Sequence, residues 1–273
     1  MNIHKVVQIL FIISGIILFL FFLLFLFVKY YEKNGVFFPV KNVTDSPERV
    51  GLPFDDIYFL TEDGQKLNAW FIANKKSDLV LLFFHGNAGN IGHRVDLLNI
   101  LSALEINIFI FDYRGYGKST GKPTEKGIYL DALGAYTYLI EIMGFLPENV
   151  IVYGKSIGTC PAIDLAAKKQ IGKMIIDSGF SSAADMGKLI IPFFSMRILM
   201  SLRFNSIQKI KHINCEKFFI HSVNDEIVPF KLGKKLYDQA LEPKEFFQTI
   251  GSHNGFFYEH SDLLVKKLRE FIF

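Results

Sequence analysis

Apolar and polar positions divide the chain into two unequal parts. From Val6 to Val28 there is no charge, and only Gln8, Ser14 and Gly15 interrupt the apolar run. As a helix, this stretch would reach roughly 35 Å, enough for a bilayer core of about 30 Å. Beyond residue 50 the pattern changes to short apolar runs separated by longer amphipathic stretches. The runs are Ile57–Thr61, Leu67–Ile72, Leu79–Phe84, Ile106–Phe111, Val150–Tyr153, Lys173–Ile176, Phe218–Ile220 and Phe246–Ile250. Helical spacing falls near 91–104, 125–143, 157–169, 230–241 and 258–271. Such alternation predicts an α/β fold, a mostly parallel sheet covered by helices on both faces. The first two runs flank Glu62-Asp63-Gly64 and predict an antiparallel hairpin at its start.

The domain plan follows as a transmembrane anchor at 6–28, a tether at 29–50 carrying Pro39 and Pro47, and one domain at 51–273. A cleaved signal peptide is the rival reading of the first segment. Its apolar region is usually only about 7–15 residues and ends in a small-residue site. Here the run ends Phe25-Leu26-Phe27-Val28-Lys29-Tyr30, which offers no such site. Between Asp177 and Phe218 the rhythm breaks. An apolar helical insertion at 180–210 is expected there, holding Met186, Ile190, Phe193, Phe194, Met196 and Met200.

Charge and cysteine content narrow the class. A net charge of +3 without a basic block does not suggest nucleic acid. Cys160 and Cys215 form no zinc, redox or disulfide pattern, and the seven histidines show no paired-ligand spacing. Gly115-Tyr116-Gly117 lacks the rest of a dinucleotide fingerprint, so no cofactor is expected.

The candidate chemistry begins at Gly154-Lys155-Ser156-Ile157-Gly158, between an apolar run and a helical stretch. That is the context of a nucleophile elbow, a tight strand-to-helix turn presenting a serine. A serine hydroxyl needs a base, and the base needs an orienting carboxylate. Asp225 follows Phe218–Ile220 by five residues, and His253 follows Phe246–Ile250 by three. Both therefore fall in loops after late strands, in the order Ser, Asp, His. The catalytic residues expected are Ser156, Asp225 and His253, with Asp177 as the competing acid. The Ile157 N–H, at a helix start, supplies one oxyanion donor. The other is expected from His85-Gly86-Asn87-Ala88-Gly89-Asn90, with Asn87 ahead of Ala88; His85 reads as a brace for that loop.

These segments, with Asp112-Tyr113-Arg114-Gly115-Tyr116-Gly117-Lys118-Ser119, resemble the α/β-hydrolase superfamily. More closely they resemble its membrane-anchored branch of bud-emergence homologues, which overlaps a serine aminopeptidase-like group. The resemblance covers about residues 50–273 and implies the fold and the catalytic machinery. It leaves the substrate open, because one fold hosts many reactions. It also implies that Tyr113–Gly117 shapes the loop beside the site; the residues themselves read as a glycine-rich turn, the favoured role as far as binding is concerned.

The expected reaction is cleavage of an ester or thioester through an acyl-enzyme. The insertion and anchor point to a small-molecule or lipid-like apolar acyl substrate, with Phe193 and Phe194 as substrate-binding residues. Core packing is the alternative role for the insertion. A peptidase and a non-catalytic anchored binding module are the alternative functions. Nothing in the residues names a protein partner. Lys29, Lys33, Lys41 and Arg49 follow the apolar run, against Lys5 and the amino terminus before it. That asymmetry favours a cytoplasmic catalytic domain; the sequon Asn42-Val43-Thr44 points the other way.

Overall fold

A computed structural model describes residues 3–192 and 195–273. Eight strands form the central sheet: β1 (Asp55–Leu60), β2 (Lys66–Ile72), β3 (Val80–Phe84), β4 (Asn107–Phe111), β5 (Val150–Lys155), β6 (Lys173–Asp177), β7 (Glu216–Ser222) and β8 (Lys244–Thr249). Their order is β8-β7-β6-β5-β3-β4-β2-β1. From β4 to β8 all neighbours are parallel, while β2 runs antiparallel to both β1 and β4. Every residue of β3, β4 and β5 is buried, which is why these strands read as largely apolar runs, interrupted by Asn107 and Lys155. The edge strands differ. In β1 only Phe59 is buried, and the exposed Asp55 and Asp56 discourage pairing with another chain.

Successive side chains of a strand point to opposite faces. Leu82 and Phe84 accordingly enter one core with Phe109, Phe111 and Val152. Leu81 and Phe83 enter the other with Ile108, Ile110 and Ile151. The first core is covered by α3 (Glu125–Thr137) and α4 (Thr159–Ala166); the second by α2 (Val95–Ser102) and α10 (Ser261–Ile272). The stripe Leu264, Leu268 and Ile272 recurs every fourth residue and is buried, so α10 packs along one face. The helix α3 starts where Thr124 accepts a hydrogen bond from the Gly127 N–H, a side-chain cap contributing about 1 kcal/mol. Removing a side chain such as Phe109 from the first core would cost roughly 3–5 kcal/mol.

Before the sheet runs α1 (Ile3–Asn34), long and apolar enough to cross a membrane. It continues past the expected end at residue 28, and its last turns meet the domain: Val28 and Glu32 are buried. The segment 29–50, read from the sequence as a tether, also lies against the domain. Phe38–Pro39 pairs in parallel with Ala88–Gly89. The Asn90 amide donates to the carbonyls of Val40 (3.0 Å) and Asn42 (2.8 Å), and Lys41 Nζ donates to the Ser119 carbonyl (2.9 Å). A mixed sequence with prolines has the composition of a linker, but its backbone groups still need partners, and this domain supplies them.

Between β6 and β7 the chain forms α5 (Ala183–Ile190), α6 (Met196–Leu199) and α7 (Ser206–Lys209). Phe193 and Phe194, expected to bind substrate, lie outside the described residues. Two further helices complete the fold, α8 (Phe230–Gln239) after β7 and α9 (Phe256–Glu259) after β8.

Candidate active site

At the C-terminal end of β5 the chain turns sharply into α4. Ser156 has φ of 54°, a left-handed conformation that costs a non-glycine residue energy and marks a constrained turn. The turn is so tight that a Cβ on Gly158 would lie 2.2 Å from the Phe84 carbonyl oxygen and 2.6 Å from that of His85. Only glycine fits there. Ile157 is in the first turn after the elbow, where a backbone N–H has no intrahelical acceptor.

The loops after β7 and β8 bring Asp225 and His253 together. His253 Nδ1 donates to Asp225 Oδ2 over 2.7 Å, in a buried site. Asp225 Oδ1 accepts from the N–H groups of Val228 (2.7 Å) and Ile227 (2.9 Å). Burial alone would raise this carboxyl, but the hydrogen bond and charge of His253, with the two backbone donors, hold it below its ordinary value. The carboxylate thus fixes the proton on Nδ1 and leaves Nε2 as the basic nitrogen. Among the described residues no hydrogen bond joins Ser156 Oγ to His253; in unliganded sites this contact is often long and tightens around substrate. Asp177 is engaged elsewhere. It accepts from the Tyr153 hydroxyl (2.8 Å) and lies 3.6 Å from Lys155 Nζ.

Several supports were not singled out by their sequence context. Glu226 accepts from the His253 N–H (2.9 Å). Lys155 Nζ donates to the His253 carbonyl and stands 3.7 Å from the centre of the Phe257 ring. Burial pushes its ammonium below the ordinary lysine value, against the raising effect of Asp177 and Asp225. His221 Nε2 donates to the Val228 carbonyl (2.8 Å), so it carries its proton there, and burial keeps the ring neutral. Its imidazole occupies the space where a Cβ on Gly233 would fall, 2.0 Å from Nδ1. No one-dimensional signal marks these residues; only proximity in the fold does.

Opposite the elbow, the loop after β3 approaches Ser156: a Cβ on Gly86 would lie 3.8 Å from that of Ser156. His85 is wholly buried, and its Nδ1–H donates to the Gly86 carbonyl over 2.7 Å. Its other nitrogen is 3.6 Å from Asp112, and burial lowers its pKa. A neutral ring so enclosed braces the loop. The Tyr113 hydroxyl donates to the His85 carbonyl (3.0 Å), and the Tyr116 hydroxyl to Asn87 Oδ1 (3.2 Å). The aromatic loop read as a glycine-rich turn therefore holds Asn87 in place.

Ser156, Ile157 and Asn87 line a cavity of about 450 Å³. Its remaining lining is mostly apolar and comes from the insertion, including Phe180, Met186 and Met196, from α1 and the residues just after it, and from residues 226–228. That volume is typical of a small-molecule site.

The chain is similar to known proteins. The family described as alpha/beta hydrolase fold matches residues 80–209. Protein bem46 of Schizosaccharomyces pombe is 35% identical over 266 residues, covering 88% of this chain and 88% of its own. Human alpha/beta hydrolase domain-containing protein 17B is 34% identical over 215 residues, 78% of this chain and 73% of its own. Among solved structures, the Pyrococcus furiosus esterase Pf2001 has a TM-score of 0.73 at 22% identity, covering 86% of this chain and 98% of its own. This last likeness is one of fold.

Proposed function

We propose, from the premise that the chain belongs to the α/β-hydrolase fold family and to the bud-emergence branch that includes bem46 and protein 17B, that it is a serine hydrolase cleaving an ester or thioester of an apolar acyl group. Ser156 Oγ attacks the acyl carbonyl while His253 Nε2 takes its proton. Asp225 keeps His253 in the productive tautomer and stabilises the imidazolium. The N–H groups of Ile157 and Asn87 receive the charge that develops on the carbonyl oxygen. Collapse breaks the bond to the leaving alcohol or thiol, which takes the proton from His253. Water, deprotonated by the same base, then releases the acid and restores Ser156.

The observation that carries this reading is the position of Ser156 on a constrained elbow in the wall of an apolar cavity. The pairing of His253 with Asp225 supports it. The lining favours an aliphatic acyl group, since each buried methylene contributes about 0.8 kcal/mol. In the same reading α1 anchors the enzyme in a bilayer with the catalytic domain on the cytoplasmic side, an orientation supported by the positive charges after its apolar run.

Fluorophosphonates react with activated serines, and they test the proposal directly. The wild-type protein is expected to label covalently, and Ser156→Ala to lose labelling while keeping its thermal transition. Persistent labelling of that variant would assign the nucleophile elsewhere.

A further inference from the structure

We infer that the last turns of α1 form a specificity-determining wall of the acyl cavity, and that Glu32 latches the insertion onto them. The inference rests on the reading of Ser156 as the nucleophile. It goes beyond that reading by giving the N-terminal helix a part in substrate selection.

Leu24, Phe27, Val28, Tyr31 and Glu32 recur at intervals of three and four and so share one helix face. Phe27, Val28, Tyr31 and Glu32 line the same cavity as Ser156, and Leu24 packs against the core beside them. Val28 is only 3% exposed, whereas Ile17, on the same face about three turns earlier, is 60% exposed. The helix therefore changes character along its length, open to its surroundings at first and a cavity wall at its end.

Glu32 explains how the wall is held. Its Oε1 accepts from the backbone N–H groups of Ser201 (2.6 Å) and Leu202 (2.7 Å), in the insertion. Its Oε2 accepts from Lys29 Nζ (2.9 Å), which also donates to Ser201 Oγ (2.6 Å). Charge-assisted bonds of this kind are stronger than neutral ones, and here they join segments 169 residues apart. All the polar capacity of Glu32 described here is directed at the insertion and Lys29. What these two segments otherwise present to the cavity includes the apolar side chains of Phe27 and Val28 from α1 and of Met186 and Met196 from the insertion. The occupant between them is the aliphatic part of the acyl group.

The test uses the full-length protein in detergent micelles and two probes, p-nitrophenyl butyrate and p-nitrophenyl laurate. Its readout is the laurate-to-butyrate ratio of kcat/KM. Each methylene shut out of an apolar site lowers kcat/KM by roughly fourfold, so Val28→Trp is expected to lower the ratio by about fifteenfold if it excludes two. Val28→Ala, which enlarges the same wall, raises it and keeps the test valid if the tryptophan variant does not fold. Glu32→Ala lowers the ratio and Glu32→Gln, which retains an accepting oxygen, restores it. Phe19→Ala leaves the ratio at its wild-type value. The inference is overturned if both Val28 variants keep the wild-type ratio while hydrolysis still depends on Ser156. Hydrolysis that survives Ser156→Ala would instead remove the reading on which it rests.

Discussion

Lys155 and His253 are joined by a buried hydrogen bond, from the Lys155 ammonium to the His253 carbonyl oxygen at 3.3 Å. The same ammonium lies 3.6 Å from Asp177 and over the face of Phe257. The residue preceding Ser156 thus ties the elbow to the loop that carries His253. Catalysis is sensitive to such ties, because small misplacements of reacting groups are costly.

Lys155→Met keeps the stem but removes the donor and leaves Asp177 buried without its cation. Breaking a buried pair in this way typically costs about 3–5 kcal/mol. A clear fall in Tm is expected, with fluorophosphonate labelling slowed on the order of tenfold. Adding Asp177→Asn should recover stability without recovering the labelling rate. A single variant labelled at the wild-type rate would show that the tie does not position His253.

Asp225→Asn is expected to lower kcat on the order of 10⁴-fold, the scale associated with losing the tautomer-setting acid. Asp177→Asn should act mainly on stability. Steady-state ester hydrolysis by the two variants separates the roles, and a large loss in the Asp177 variant alone would reverse the assignment. The pH dependence has a definite sign. The folded pKa of Asp225 lies below its ordinary value, so the stabilisation from its ionised form is present above the unfolded pKa and disappears as pH falls through the folded one.

Gly158→Ala drives a methyl group into the Phe84 and His85 carbonyl oxygens, both of them backbone atoms that cannot swing aside. Overpacking of this kind costs about 1–3 kcal/mol, or more where the backbone must move. The urea midpoint is expected to fall and labelling of Ser156 to be lost. Unchanged labelling would show that the elbow tolerates a side chain there.

Topology is tested with sealed vesicles exposing the cytoplasmic face. Added protease is expected to digest the catalytic domain, and the protein is expected to resist carbonate extraction. Protection of the domain would reverse the orientation inferred from Lys29, Lys33, Lys41 and Arg49, without affecting the anchor.

What the sequence by itself determined are the features written in local pattern. Strands β3 to β5 are buried on both faces, so their residues are mostly apolar without alternation, and they are recognisable as short runs such as Val80–Phe84. Chain order after those runs places Ser156, Asp225 and His253 after β5, β7 and β8 at one end of the sheet, because parallel strands all end on the same side. The hydrogen bond between Asp225 and His253 then needs only the neighbouring strands β7 and β8 to pair in register. Tertiary structure alone decided the rest. Glu32 reads as an ordinary charge at the end of a helix, and nothing near it in sequence discloses that its partners are the N–H groups of Ser201 and Leu202. Lys155 reads as the variable residue of a glycine-flanked motif, and Tyr116 as part of a turn, until β5 brings Lys155 beside His253 and β4 brings Tyr116 beside Asn87. Residues 29–50 have the composition of a linker, yet their carbonyls meet Asn90 and Gly117 of the domain. The physical reason is the same in each case. Apolar burial is periodic and therefore visible along the chain, whereas a polar group reveals its role only through a partner brought near by the fold.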